Sequence, residues 1–376
     1  MRTTTELCLI IGFSTVVCGC GPSAYSLLAV EENVPSCREL LDDGKTRPWR
    51  TTLYETKVGD EPPAMIAIHE TGCLSANRTV VLIHGCASSS ETWRFLVGDL
   101  GADHRLVLVD LLGCGRSECP NPTSLGPRGY SPDAMAHRVS QALGASLANQ
   151  PTQPQVTLVG HSLGALIALR MMGNHELRRR YDDVVGCVDR MVLLTPLDVE
   201  LANPPAILFE LAMISPLAVR IADVTGILRE RVAQGTRLSV CNPKRALRGG
   251  VDRLCATLTS RTKLLALQAI LKQAVPNDGE RLDWTTIESI VADYANVNVP
   301  CLIVWGRYDE TLPLAMGYKL AAEIPTAQLH IVDGCKHSVH LERPVLAADF
   351  IRQFPWSNDR HVQRTSRVLK FSRSFD

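Results

Sequence analysis

The chain has 376 residues, 45% hydrophobic and 21% charged, the makeup of an ordinary globular protein with room for one large domain carrying an insertion, or for two domains. Lys plus Arg and Asp plus Glu both number 39, so no net field draws in nucleic acid or an acidic surface. Metal-spaced Cys/His clusters, phosphate-binding Gly-rich loops and internal repeats are missing, which predicts a protein without cofactor, metal or nucleic-acid partner.

Arg2 precedes an apolar run over residues 7–17, followed by Cys18-Gly19-Cys20-Gly21. Such a run is too short to cross a bilayer as a helix but suits the core of a secretory signal. Val17-x-Gly19-Cys20 resembles the bacterial lipoprotein box. That resemblance implies a signal/lipoprotein segment at 1–20 cleaved before Cys20, acylation of Cys20 and a membrane-anchored, exported protein of a bacterial envelope. A non-lipidated signal and the apolar start of a cytosolic protein are the competing readings. Of thirteen cysteines, cleavage before Cys20 removes Cys8 and Cys18 and leaves Cys20 with ten others. An even number permits disulfides, although Cys187 and Cys301 border apolar runs as small core residues do.

Residues 21–47 read as a tether with a first short element. A strand-turn-strand begins near Thr51 and includes 65–69; 79–83 is a buried strand ending in His84-Gly85. A helix follows from Glu91, then a strand over 105–110, then a helix over 131–149 with Pro132 in its first turn. Strand 155–159 and helix 165–172 flank Gly160-His161-Ser162-Leu163-Gly164, and a further strand spans 189–195. Residues 199–298 are helical in pattern, without a convincing strand. Strands resume at 301–305 and 328–332, and a helix over 343–353 closes the fold. Strands alternating with helices predict an α/β fold, a mostly parallel sheet with helices on both faces. The core is then 48–198 plus 299–355, the helical block 199–298 an inserted cap, and 356–376 a basic surface tail.

The elbow pentapeptide carries the chemistry. Its small residues permit a sharp reversal, leaving Ser162 at the apex and beside a helix N-terminus that favours developing negative charge. A plain turn with a capping serine is the competing reading. A serine hydroxyl needs a base, and the base needs an orienting acid. Strand 301–305 is followed by Asp309 and strand 328–332 by His337, giving the order Ser, Asp, His. His340 competes with His337, and Asp198 with Asp309. The oxyanion donors expected are the backbone N–H groups of Leu163 and Cys86. The Cys86 thiol is then incidental, a reactive thiol being the alternative.

His84-Gly85 with Trp93, Asp110-x-x-Gly113-x-Gly115-Arg116-Ser117, the elbow, Gly306-x-x-Asp309 and His337-x-x-x-Leu341-Glu342-x-Pro344 follow in order. Together they resemble the α/β-hydrolase superfamily, in its serine esterase/hydrolase branch with a helical cap, over roughly residues 50–355. The resemblance implies Ser162 as nucleophile, His337 as base, Asp309 as acid, and an acyl-enzyme route to ester cleavage. It argues against relatives that carry aspartate at the elbow, the haloalkane dehalogenases and epoxide hydrolases. Carbon–carbon bond hydrolysis, acyl transfer and a non-catalytic binding role stay open. Gly113 and Gly115 are expected to let their loop pass close to the sheet, and Lys336 stands where relatives usually carry glycine. The apolar stretch 204–219 suggests a pocket for an apolar acyl substrate, against the plainer reading that it packs the cap onto the core.

Overall fold

The computed structural model describes residues 38–40, 46–148, 154–200, 206–242, 249–277 and 281–354. Cys20, the signal and most of the tether, and the tail 356–376 lie outside them.

Among the described residues, ten strands form two sheets. β1 (Arg38–Leu40) and β2 (Thr46–Pro48) make a small antiparallel ladder. The main sheet comprises β3 (Arg50–Thr56), β4 (Ala64–Gly72), β5 (Arg78–Ile83), β6 (Arg105–Val109), β7 (Gln155–His161), β8 (Val188–Leu194), β9 (Cys301–Gly306) and β10 (Ala327–Val332). Their spatial order is β10-β9-β8-β7-β5-β6-β4-β3, and only β4 runs against the others. The fold is therefore the α/β arrangement expected, a mostly parallel sheet covered on both sides.

The near-continuous apolar runs of β5, β6 and β9 follow from that double cover, because successive side chains point to opposite faces and both faces are buried. Val81, Ile83, Val107, Val109, Ile303 and Trp305 join one core with helices Pro132–Leu147, Leu163–Gly173 and Leu314–Glu323. Val80, Leu82, Leu106, Leu108, Leu302 and Val304 join the other, with helices Arg94–Gly101 and Pro344–Gln353.

The helical block after β8 has its own small core of Val219, Ala222, Leu228, Val232, Val251, Leu258, Leu264 and Leu267. Helix Arg261–Gln273 fastens this layer to the body, since its Leu264 and Leu267 face the cap while Ala266 and Ile270 enter the sheet's core. Further along, helix Trp284–Asp293 buries Ile287 and Ile290 in the core of the sheet rather than in that of the cap.

Candidate active site

β7 ends at His161, and Ser162 stands at φ 52°, ψ −116°, a region that side-chain-bearing residues rarely adopt. Ser162 is the N-cap of helix Leu163–Gly173, yet its side chain makes no capping hydrogen bond. The turn is fixed instead through its backbone, whose N–H donates to the Leu194 carbonyl while its own carbonyl accepts from Ala165, Leu166 and Leu197 N–H. Gly164 lets the helix press onto β5: a Cβ there would lie 2.3 Å from the Ile83 carbonyl oxygen. Among the described residues, the non-glycine positions with positive φ are Ala87, Ser162 and Thr195. All three border the same site, where strain of this kind tends to collect.

His337, on the loop after β10, places Nδ1 2.8 Å from Asp309 Oδ2, and the Asp309 side chain is fully buried. Asp309 Oδ1 accepts the backbone N–H groups of Thr311 and Leu312 at 2.8 and 2.9 Å. The His337 carbonyl accepts from Thr195 Oγ1 at 2.8 Å and from His161 Nε2 at 3.2 Å, so the elbow and the end of β8 both grip the histidine loop. Lys336 ties that loop to the cap: its Nζ donates to the Arg237 carbonyl at 3.1 Å and lies 2.9 Å from Glu310. Ser338 N–H donates to the Ser239 carbonyl.

The two competing residues sit elsewhere. His340 is fully buried with Nε2 against Thr92 Oγ1 at 2.8 Å, and burial, then the neighbouring His337 and Arg94, draws it down to about 3. Its ring packs on His161, whose own value is held well below the usual range by burial and by both flanking histidines. Asp198 accepts the Tyr294 hydroxyl at 3.0 Å and clusters with Glu200 and Glu323, their ligand-type oxygens lying within 4.8 Å of one another. A cation could be held there, but Lys319 already ion-pairs with Glu200 and lies 3.9 Å from Glu323.

Leu163 opens the elbow helix, where first-turn N–H groups have no carbonyl one turn back. Cys86 follows His84-Gly85 after β5 and lines the same cavity as Ser162, Leu163 and His337. Burial pushes its thiol up to about 12, against the pull of the Ala87 backbone. The cavity measures about 1460 Å³ and separates the sheet's C-terminal edge from the cap, with Leu211, Met213, Ile214, Leu228 and Leu254 on the cap side.

Sequence reasoning missed the buried network on Asp110. His69 Nε2 lies 2.9 Å from its Oδ2, which also accepts Arg116 N–H, while Ser90 N–H donates to Oδ1 at 2.7 Å. Burial raises this carboxyl, but the His69 hydrogen bond, the charges of His84 and His69 and the Ser90 bond outweigh it and hold it at about 2. A Cβ on Gly115 would fall 2.1 Å from the Asp110 carboxylate, and one on Gly113 would meet Ala266 and Tyr130. These glycines thus make room for a buried carboxylate and a cap helix, rather than for the sheet itself. The Asp-x-x-Gly-x-Gly spacing was the available signal; His69 and Ser90 are too far away in sequence to have been paired with it.

A family model described as the alpha/beta hydrolase family matches residues 80–350. An uncharacterized protein of Mycobacterium tuberculosis is 25% identical over 286 residues, 73% of this chain and 74% of the relative. A 2-hydroxy-6-oxononadienedioate/2-hydroxy-6-oxononatrienedioate hydrolase of Klebsiella pneumoniae is 25% identical over 290 residues, 74% of this chain and 87% of the relative. Among solved structures, an esterase from a Rhodococcus species superposes with a TM-score of 0.58 at 23% identity, covering 80% of this chain and 98% of the esterase, a likeness of fold.

Proposed function

Since the chain belongs to the alpha/beta hydrolase family, we propose that it is a serine hydrolase that cleaves a carboxylic ester through an acyl-enzyme. Ser162 Oγ attacks the ester carbonyl while His337 Nε2 accepts its proton. Asp309 holds the other ring nitrogen, fixing the tautomer and stabilising the imidazolium. The developing oxyanion is met by the N–H groups of Leu163 and Cys86. On collapse, the alcohol leaves with the proton from His337. A water then repeats the sequence on the acyl-enzyme, so that one ester and one water yield one acid and one alcohol.

The observation that carries this reading is the 2.8 Å contact between His337 Nδ1 and Asp309 on the wall of the cavity that Ser162 also lines. The leucine- and isoleucine-rich cap side supports an apolar acyl chain. Carbon–carbon bond hydrolysis on the same three residues is the second reading, favoured by the Klebsiella relative.

A fluorophosphonate probe and a chain-length series of p-nitrophenyl esters test the proposal. Wild type should be labelled and turn over esters, and Ser162→Ala should do neither. A well-folded wild type that takes no label defeats the reading and favours a binding role.

A further inference from the structure

The chain carries no net charge, yet the wall of its cavity does. Among the described residues, seven Lys and Arg line it against three carboxylates, Glu91, Asp110 and Glu210, an excess of four positive charges. Asp110 is moreover committed to His69. Cations gathered on a concave, partly apolar surface focus their field into it and raise the local concentration of anions.

The cations are concentrated where the cap meets the body. Arg94 heads helix Arg94–Gly101, just after the loop that carries Cys86, and is half-buried with its guanidinium 4.2 Å over the Phe95 ring. Arg253 comes from cap helix Gly250–Thr259 and reaches Glu91 at 3.2 Å; Arg94 donates to the carbonyl of that same Glu91 at 3.2 Å. The two guanidiniums are close enough to repel. Burial and Arg253 together draw Arg94 down to about 10, with Glu91 opposing them, and at that value it stays charged at neutral pH. Gly249, with φ +70°, lies beside the partner: a Cβ there would come 2.9 Å from Arg253 Nη1. A third cation, Lys263, lines the cavity from helix Arg261–Gln273 and makes no ion pair among the described residues. Glu91 offsets part of this charge, and the wall stays positive on balance; guanidiniums match carboxylate and phosphoryl oxygens two at a time.

We infer that the cavity takes a substrate bearing an anionic group, a carboxylate or phosphoryl, held between Arg94 of the body and Arg253 of the cap. The apolar cap residues then cover the chain that joins this anion to the scissile bond. The inference rests on the proposed hydrolase reading for the bond broken at Ser162, but not for the anion.

Its test is a ratio. Mono-p-nitrophenyl esters of dicarboxylic acids, from succinyl to sebacyl, are compared with their neutral ω-methyl esters, and with ω-phosphonate analogues to separate the two anion types. At one favoured chain length, kcat/KM should be about tenfold higher for the anionic member, and this margin should shrink in high salt. Arg94→Gln and Arg253→Gln should each bring the ratio toward one, with Arg94→Lys intermediate. A wild-type ratio at or below one at every length, in both anion series, overturns the inference. Should no ester turn over, the hydrolase reading fails by itself. The anion is then tested by calorimetry on Ser162→Ala with monomethyl and dimethyl sebacate. Tighter binding of the monoanion supports the inference, and equal binding defeats it.

Discussion

His337 Nδ1 lies 2.8 Å from Asp309 Oδ2, while the second oxygen of that carboxylate accepts two backbone N–H groups from the turn that follows it. Asp309 thus caps its own turn and faces the histidine at once, and the turn holds the carboxylate in the orientation the histidine needs. If Asp309 orients the base, Asp309→Asn should lower ester kcat by about 10³–10⁴-fold, because an amide can hold the wrong imidazole tautomer. Asp198→Asn should leave turnover within about threefold of wild type, since Asp198 faces Tyr294 and Lys319's neighbours instead. The reverse pattern in steady-state kinetics transfers the acid role to Asp198.

Much of this was legible in the sequence because it is local. Each strand of the sheet's centre is an apolar run, and the elbow is five contiguous residues whose glycine at 164 has a single steric cause. The choice between His337 and His340 was less legible: both lie on one short segment, where the spacing to Leu341-Glu342-x-Pro344 favours His337, and the structure sets them apart by the Asp309 contact of His337 and the burial of His340 against Trp93 and Thr92. The Asp110 network and the Arg94–Arg253 pairing join residues from distant elements, and nothing in the spacing of either partner announces the other. The same limit applied within the cap region, where helix Trp284–Asp293 has a pattern like its neighbours but buries Ile287 and Ile290 in the body.

The elbow glycine and a helix glycine should respond in opposite directions to the same substitution. Gly164→Ala places a Cβ against two backbone carbonyls, of Ile83 and His84, neither able to move without the strand. It should cost at least about 3 kcal/mol or prevent soluble expression. Gly98→Ala, inside helix Arg94–Gly101 with nothing within 4 Å, should stabilise by up to about 1 kcal/mol. Urea denaturation reads both; equal effects would remove the close-approach argument.

The Cys86 thiol should be inert. With its value pushed up to about 12, only about one part in 10⁵ is thiolate near pH 7, and thiolate is the reactive species. Iodoacetamide at that pH should leave ester turnover unchanged, and Cys86→Ala should keep it within about threefold. Inactivation by iodoacetamide in wild type, spared in Cys86→Ala, would give the thiol a role that the backbone reading denies it.

Lipidation at Cys20 is a proposal that concerns residues outside the described structure. Expressed in a bacterium fed labelled palmitate, wild type should retain label in the membrane fraction and Cys20→Ser should not. Equal labelling of the two ends the lipoprotein reading; the described residues themselves contain no helix long and apolar enough to cross a membrane.

The buried histidines around the elbow should make the fold acid-sensitive. His340 is drawn down from 6.5 to about 3, chiefly by burial, and His161 and His84 are lowered for the same leading reason. Below pH 6.5 the unfolded chain therefore binds protons that the folded one refuses, and stability falls as the pH falls. Each such histidine contributes about 1.4 kcal/mol per pH unit until its folded value is reached. Asp110, held at about 2 rather than 3.8, adds a further loss only below 3.8. Glu323 runs the other way: raised to about 7 by burial and by Asp198 and Glu200, it favours the fold as the pH drops from 7 toward 4.5. It is partly exposed, so solvent screening leaves it the weaker contribution. Urea titrations at about pH 7 and about pH 5.5 should show wild type losing stability on acidification. His340→Gln keeps a partner for Thr92 while removing one titrating ring, and should lose about 1.4 kcal/mol less over that last unit. Parallel losses in the two proteins would mean that His340 accepts its proton in the folded state.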